Sequence, residues 1–346
     1  MKAYQLVEWR QPPELREVDV PEPGPGEVLI KVGGAGACHS DLHVMEWPAG
    51  FLPYELPFTL GHENAGWVEA VGPGVKRLDI GEAVAVYGPW GCGRCRPCRM
   101  TLETLCEHAS EFRAAGGGLG RDGGMAEYML VPDARLLVPL GDLDPRDAAP
   151  LSDAALTPYH AIKLALGKLV PGSSAVVIGV GGLGHMAVQL LRALSPARVI
   201  ATDIDPAKLE LARELGATHT VASGETAAAE IRELAGGRGA ALVLDCVGSD
   251  ATLALDAKVV APGGAVMSIG VAGGTLPFTF NALPSDASIT HPYWGSIIEL
   301  AEVLELARVG DITAHVEHFP LEQVTDAYDR MREGTLSGRA VITPNA

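Results

Sequence analysis

The apolar positions change their rhythm along the chain. Up to about residue 150 they form short strand-like runs, 27–32, 65–71 and 81–87, broken by turns at 21–26 and 72–74. Gly116-Gly-Gly-Leu-Gly120 reads as a flexible loop, with a further run at 123–131. From residue 175 apolar runs alternate with helical spacing. Ala-Val-Val-Ile at 175–178 is a buried strand, and Leu183, Ala187, Leu190, Leu191 and Leu194 then line one helix face that Ser195-Pro196 closes. The run 198–203 ends on Asp203, and a helix over 206–215 stops at Gly216. A strand over 241–248, a helix over 250–260, a strand over 265–270 and a last one at 288–290 complete an alternation that predicts a doubly wound parallel sheet. Past Tyr293 the pattern changes again: a helix over 296–309 with apolar positions 297, 300, 304 and 307, a helix over 321–331, and a strand at 339–343. The expected organisation is one domain over 1–153, an inserted α/β domain over 154–291, and a return to the first over 292–346.

Between the strand at 175–178 and its helix stands Gly179-Val-Gly-Gly-Leu-Gly184, a G-x-G-x-x-G turn. Strand, glycine turn, helix, strand and acid, in that order, bind a dinucleotide. Gly179, Gly181, Gly182, Leu183 and Gly184 bring backbone amides to a pyrophosphate at the helix N-terminus. Asp203 stands where a ribose diol sits and repels a 2′-phosphate, so the cofactor expected is NAD.

The chain has 346 residues, long enough for two domains, and its 42 Gly and 25 Pro fall at turns between apolar runs. A net charge of −17 argues against nucleic acid or an anionic membrane as partner. The N-terminus has no signal-peptide pattern and no apolar run reaches membrane-spanning length, so a cytoplasmic protein is expected. Six cysteines in that compartment point to metal ligands or core packing rather than disulfides, with Cys246 inside a strand as the core case.

Cys92, Cys95, Cys98 and Cys106 stand at C-x2-C-x2-C-x7-C. Four thiolates close a tetrahedral shell around Zn²⁺ with no position for water, which makes a structural site in a lobe at about 91–107. A second constellation is Gly36-Ala-Cys-His-Ser-Asp-Leu-His43, chemistry-dense in what reads as a loop, followed by Gly61-His-Glu63. Cys38 and His62 read as metal ligands. Asp153 reads either as the N-cap of a helix or as a third ligand that leaves one coordination position open.

Together these pieces resemble the zinc-dependent medium-chain alcohol dehydrogenases, along nearly the whole chain. Within that family the chain is most similar to bacterial NAD-dependent secondary-alcohol dehydrogenases. The carriers are Cys38-His-Ser-Asp41, Gly61-His-Glu63, the four-cysteine lobe, Tyr87-Gly-Pro-Trp-Gly-Cys92, the glycine turn with Asp203, and the split domain order. The resemblance implies a Rossmann sheet inserted into a GroES-like, mostly β catalytic domain, and two zinc ions per chain, one catalytic and one structural. It favours Asp153 as the third ligand beside Cys38 and His62, where animal members carry a cysteine. Glu63 would stand beside the ion as a transient fourth ligand. Ser40 would take the substrate proton and His43 would pass it on. His39 would approach the pyrophosphate, Lys208 would join Asp203 at the adenosine ribose, Thr157 would pack beside the nicotinamide, and Arg339 would reach a phosphate. Trp47, Tyr54, Leu119 and Trp294 would wall an apolar pocket for an alcohol or ketone. Family analogy implies a homotetramer. The competing expectations are a polyol dehydrogenase of the same fold and a non-catalytic dinucleotide-binding protein.

Overall fold

In the computed structural model, residues 1–112 and 115–345 are described, residue 112 in its backbone only. They divide into two compact units. One comprises Met1–Asp153, Gly295–Arg308 and the chain from Ala314; the other comprises Ala154–Trp294 with Val309–Thr313.

The second unit is a parallel sheet. Its strand order is His219–Ala222, Arg198–Asp203, Ser174–Ile178, Ala240–Asp245, Val260–Ser268, Ser288–Thr290, all neighbours running parallel. Ser174–Ile178 is buried at every position, as a strand covered by helices on both faces must be. Chain order reverses between Ser174–Ile178 and Ala240–Asp245, and such a reversal opens a ligand crevice at the strands' carboxyl ends. The glycine turn leaves Ser174–Ile178 at that point and enters helix Gly184–Leu194, capped at Ser195. Gly179 has φ +84°, a left-handed value that glycine adopts without steric cost. A Cβ on Gly184 would fall 1.8 Å from the Gly179 carbonyl oxygen, so glycine there lets helix and strand close up.

The first unit is mostly antiparallel. Its larger sheet runs Leu137–Pro139, Ala83–Val86, Glu63–Val71, Val28–Gly36, Arg339–Thr343, Val316–Pro320, with Tyr128–Val131 also paired to Val28–Gly36. The final strand enters this sheet in register beside Gly36, with Val341 opposite it, while Glu63 is the partner of Gly36 on the other side. Three distant pieces of chain therefore meet at one point of the sheet.

Several expectations are corrected. Residues 39–46 are not a loop but helix His39–Glu46, with Cys38 as its N-cap and Asp41 accepting from the Cys38 backbone N–H. Their polar chemistry disguises the helix, because only Leu42, Val44 and Met45 give an apolar signal. Asp153 caps no helix start: it follows the 3₁₀ turn Ala149–Ser152, and Ala155 precedes helix Leu156–Ala165. The glycine-rich segment near 118 is not a plain loop, since Gly116–Gly117 pairs with Gly120–Arg121. The helix expected over 321–331 opens with a 3₁₀ turn, Leu321–Gln323, before Val324–Arg332. Val309–Thr313 joins the α/β unit, although the sequence pattern groups it with the returning segment.

Candidate active site and metal centres

Cys38 lies two residues past the long strand Val28–Gly36 and caps the start of a helix, His62 follows the left-handed Gly61, Glu63 opens its strand, and Asp153 follows a 3₁₀ turn. One ligand atom from each lies within 4.8 Å of all the others. His62 Nε2 is 3.6 Å from Asp153 Oδ2. Its other ring nitrogen, Nδ1, is 2.9 Å from Asp41 Oδ1, which fixes the ring and leaves Nε2 facing the cluster. Burial works against a charged imidazole here. The Asp41 charge and hydrogen bonds to Asp153, Asp41 and Cys38 outweigh it and hold the His62 pKa well above its ordinary value. A thiol, an imidazole and carboxylates converging in a buried space are reconciled by a cation. The donor set and its span fit one zinc ion, with ligand bonds of about 2.0–2.3 Å.

Glu63 and Asp41 are fully buried. Glu63 is clamped by Arg339, whose Nε donates to Oε2 at 2.8 Å and whose Nη2 donates to Oε1. Burial pushes the Glu63 carboxyl up, to about 7, against the pull of that guanidinium. Arg339 Nη2 is also 3.6 Å from Asp153 Oδ2. Arg339 thus braces the metal cluster, a role its sequence position does not announce. A Cβ on Gly36 would lie 1.9 Å from Glu63 Oε2, so glycine at 36 makes room for that carboxylate. Ser40 Oγ is 3.7 Å from Cys38 Sγ, and Ser40 and His43 are half-buried on the same helix, three residues apart. His39 on that helix is exposed.

The lobe cysteines form the second cluster. Cys92 Sγ and Cys98 Sγ are 3.9 Å apart, Cys95 Sγ and Cys106 Sγ 4.0 Å. A tetrahedron of Zn–S bonds of about 2.3 Å has edges of about 3.8 Å, so this lobe fits zinc as well. Backbone N–H groups of Cys95 and Arg94 point at Cys92 Sγ and lower its pKa to about 6, as a ligating thiolate requires. All six cysteines are unpaired.

In the α/β unit, Asp203 ends its strand 8% exposed. Oδ2 accepts from Val180 N at 2.7 Å and Oδ1 from Asp205 N at 2.9 Å, so this carboxylate also braces the glycine turn. A Cβ on Gly181 would meet no protein atom within 4 Å: its open side fits a pyrophosphate cradle, not internal packing. Lys208 lies in the first turns of helix Pro206–Glu214, half-buried, and Thr157 is buried in helix Leu156–Ala165. Of the expected pocket walls, Trp47 packs on Phe51 at 5.0 Å, Tyr54 meets Phe58 edge-on at 6.0 Å, and Leu119 is buried. Trp294, at φ +56°, belongs to the α/β unit and packs on Tyr293.

Sequence reasoning missed Asp41 as the holder of His62 and Glu63 as the partner of Arg339. The capping relation between Cys38 and Asp41, three residues apart, is the one signal that would have drawn attention to Asp41.

A parallel sheet with a glycine turn, together with a mixed Cys–His–carboxylate cluster and a four-cysteine cluster that each fit zinc, defines a metal-dependent oxidoreductase that uses a dinucleotide. Two family profiles match, "Alcohol dehydrogenase GroES-like domain" over residues 24–142 and "Zinc-binding dehydrogenase" over 182–308. A D-arabinose 1-dehydrogenase (NADP(+)) of Saccharolobus solfataricus is 34% identical over 347 residues, covering 99% of this chain and 97% of its own. An NAD-dependent alcohol dehydrogenase of Sulfurisphaera tokodaii is 35% identical over 359 residues, covering 99% and 100%. The crystal structure of the alcohol dehydrogenase from Aeropyrum pernix superposes with a TM-score of 0.92 at 36% identity, covering 99% and 100%. The chain belongs to the zinc-dependent medium-chain alcohol dehydrogenase family. Among the described residues, no helix is long and apolar enough to cross a membrane.

Proposed function

We propose that this chain oxidises small secondary alcohols to ketones with NAD, and reduces ketones in the reverse direction, at the cluster of Cys38, His62 and Asp153. The observation that carries the reading is that cluster itself: a ligand atom from each lies within one ion's reach, with the Ser40 hydroxyl 3.7 Å from Cys38 Sγ. Bound there, zinc supplies Lewis acidity toward an alcohol oxygen, and NAD supplies the hydride acceptor. The residues do the rest. Cys38, His62 and Asp153 hold the ion, and Asp41 keeps a proton on His62 Nδ1 so that Nε2 can ligate. Ser40 Oγ takes the hydroxyl proton and hands its own toward the imidazole of His43. Glu63, steadied by Arg339, stands beside the ligands. Gly179–Gly184 receive the pyrophosphate, with His39 as a further contact. Asp203 and Lys208 hold the adenosine ribose, and Thr157 packs on the nicotinamide. Trp47, Tyr54, Leu119 and Trp294 give the substrate an apolar setting, which suits a plain alcohol better than an acid.

A panel of 2-butanol, sorbitol and arabinose with NAD and NADP, alongside zinc content, tests the reading. Turnover of 2-butanol with NAD and two zinc ions per chain supports it. Turnover confined to the polyol or the sugar, or to NADP, overturns the substrate or cofactor assignment, and no turnover with both ions bound leaves a non-catalytic binder. The resemblance extends the reading to a tetramer, and light scattering at four times the 36.1 kDa chain mass would support it where a monomer would not. Six unpaired cysteines suit the reducing cytoplasm, where we place the protein.

A further inference from the structure

The glycine-rich segment around residue 118 has no part in the chemistry described so far, yet it packs on the backbone of a ligand residue. Gly118, Gly123 and Gly124 are all buried. A Cβ on Gly118 would overlap the Gly61 carbonyl and stand 2.7 Å from His62 N. One on Gly123 would overlap the same Gly61 oxygen, and one on Gly124 would overlap Asn64 Oδ1. Turn conformation explains only the first of these glycines: Gly118 has φ +79°, whereas Gly123 and Gly124 are not left-handed. What requires glycine at 123 and 124 is the close approach. Hydrogen bonds hold the two pieces of chain together. Gly123 N donates to Thr59 O at 2.9 Å, Met125 N to Leu60 O at 2.9 Å, and Gly124 N to Gly61 O at 3.0 Å. Thr59 N donates in return to Asp122 Oδ1 at 2.7 Å, and Asn64 Nδ2 is a second donor to Gly61 O, at 3.0 Å. His62 is therefore fixed at both ends, its peptide by this segment and its ring by Asp41 at 2.9 Å.

We propose that Gly118 and Gly123 are positioning residues for the metal centre: they let the segment 116–125 close on the Gly61–His62 peptide, and that closure aims His62 at an ion shared with Cys38 and Asp153. The inference rests on reading those three residues as a zinc site. The distances show why a single methyl group matters. Moving from 2.7 Å to an ordinary contact of 3.4 Å takes a shift of about 0.7 Å, several times the roughly 0.2 Å within which a metal–ligand distance is held. Close-packed interiors pass such a shift on rather than absorb it.

The experiment is zinc release from the fully loaded chain to a chromogenic chelator, with the four-cysteine lobe as internal reference. It compares the wild type with Gly118→Ala, Gly81→Ala, Asp122→Ala and Asp122→Asn. Gly81 has φ +86°, and a Cβ there would meet nothing within 4 Å, so Gly81→Ala carries the backbone strain of Gly118→Ala without the contact. Both alanine variants are expected to melt below the wild type. Only Gly118→Ala should lose the catalytic zinc faster, by about 10-fold or more, the range seen when an outer partner of a ligand is lost. With cobalt at that centre, its visible d–d bands should shift. Asp122 is exposed, and Asp122→Ala removes the acceptor of Thr59 N without adding bulk, so a smaller acceleration of about 3-fold is expected. Asp122→Asn keeps an acceptor and should restore the wild-type rate. Unchanged catalytic release in Gly118→Ala overturns the proposal, because the segment then yields in place of His62. So does equal acceleration at the lobe, which would mark a general loosening, or the same acceleration in Gly81→Ala, which would assign the effect to strain. Should Gly118→Ala not fold, the Asp122 pair decides: faster release in Asp122→Ala that Asp122→Asn reverses supports the proposal, and equal rates overturn it. A wild type that releases no zinc beyond the lobe's overturns the reading of the site instead.

Discussion

Asp203 carries two duties at once, and they can be separated by substitution. Its charge is proposed to select a ribose diol over a 2′-phosphate, while its two oxygens accept backbone N–H bonds from Val180 and Asp205. Hydrogen bonds to a charged group contribute roughly 1.5–3 kcal/mol each. Asp203→Asn keeps an acceptor oxygen and removes the charge; Asp203→Ala removes both. Both variants should raise the kcat/KM ratio of NADP to NAD by tenfold or more, a change of about 1.4 kcal/mol, and Asp203→Ala, which loses both acceptors, should lower the melting temperature more than Asp203→Asn, which loses one. An unchanged cofactor ratio in both would remove Asp203 from cofactor choice. At the metal, Cys38→Ser should take the zinc content from two ions per chain to one, because the lobe thiolates have no shared ligand with it; mass spectrometry of the native chain checks this. Ser40→Ala should lower kcat/KM by about 10²-fold or more with both ions retained, the size expected when a positioned proton acceptor is lost. The residues behind these predictions differ in how openly the sequence displays them. Cysteine spacing is local, so the lobe was legible. The Arg339 clamp on Glu63 and the space left at Gly36 were not, because they exist only where strands 276 residues apart meet.

Elements show the same division. Most of the α/β strands and helices were legible because each carries its own periodicity, and an apolar run such as Ser174–Ile178 has no other stable use, whereas strand His219–Ala222 and helices Leu156–Ala165 and Ala227–Leu234 were not predicted. Helix His39–Glu46 was obscured because function occupies most of its positions. Helix Asp250–Val259 hides a different feature. It starts with a reciprocal Ser249–Thr252 cap and carries Asp256, fully buried against Asp245 at the end of the neighbouring strand. Among the described residues, Asp245 Oδ2 and both Asp256 oxygens are buried without a hydrogen-bond partner. Burial, then the Asp245 charge, lift Asp256 to about 9 from an ordinary 3.8. The folded helix thus holds a proton that the unfolded chain has already released above about pH 4. The stability contributed by this group is full below that pH and is lost progressively as pH rises to about 9. Melting temperatures from pH 5 to 9 should therefore fall more steeply for the wild type than for Asp256→Asn, which keeps the size and a hydrogen to share but does not titrate. Parallel curves would show that the pair holds no proton.

At the scale of the molecule, the residues proposed to hold zinc and the turn proposed to hold the dinucleotide lie in different units. Their order along the chain was legible from the change in apolar rhythm. The placement of Val309–Thr313 was not, because it depends on long-range bonds: Gln189 Nε2 donates to Thr313 O, Thr313 N donates to Gln189 Oε1, and Arg192 Nη2 donates to Asp311 O. The division of labour has a measurable consequence. The glycine turn is braced by Asp203 and by packing inside its own unit, with no bond to a zinc ligand among those that define it. Cys38→Ser should therefore still bind NADH, with a dissociation constant within about threefold of the wild type, a difference of about 0.7 kcal/mol, while oxidising no alcohol. Saturating NADH at a hundred times that constant should stabilise either form by about 2.7 kcal/mol, visible as a rise in melting temperature. Binding that vanishes with the catalytic zinc would mean that the ion helps build the dinucleotide site, and the two-unit account of catalysis would have to be replaced by one in which metal and cofactor sites are assembled together.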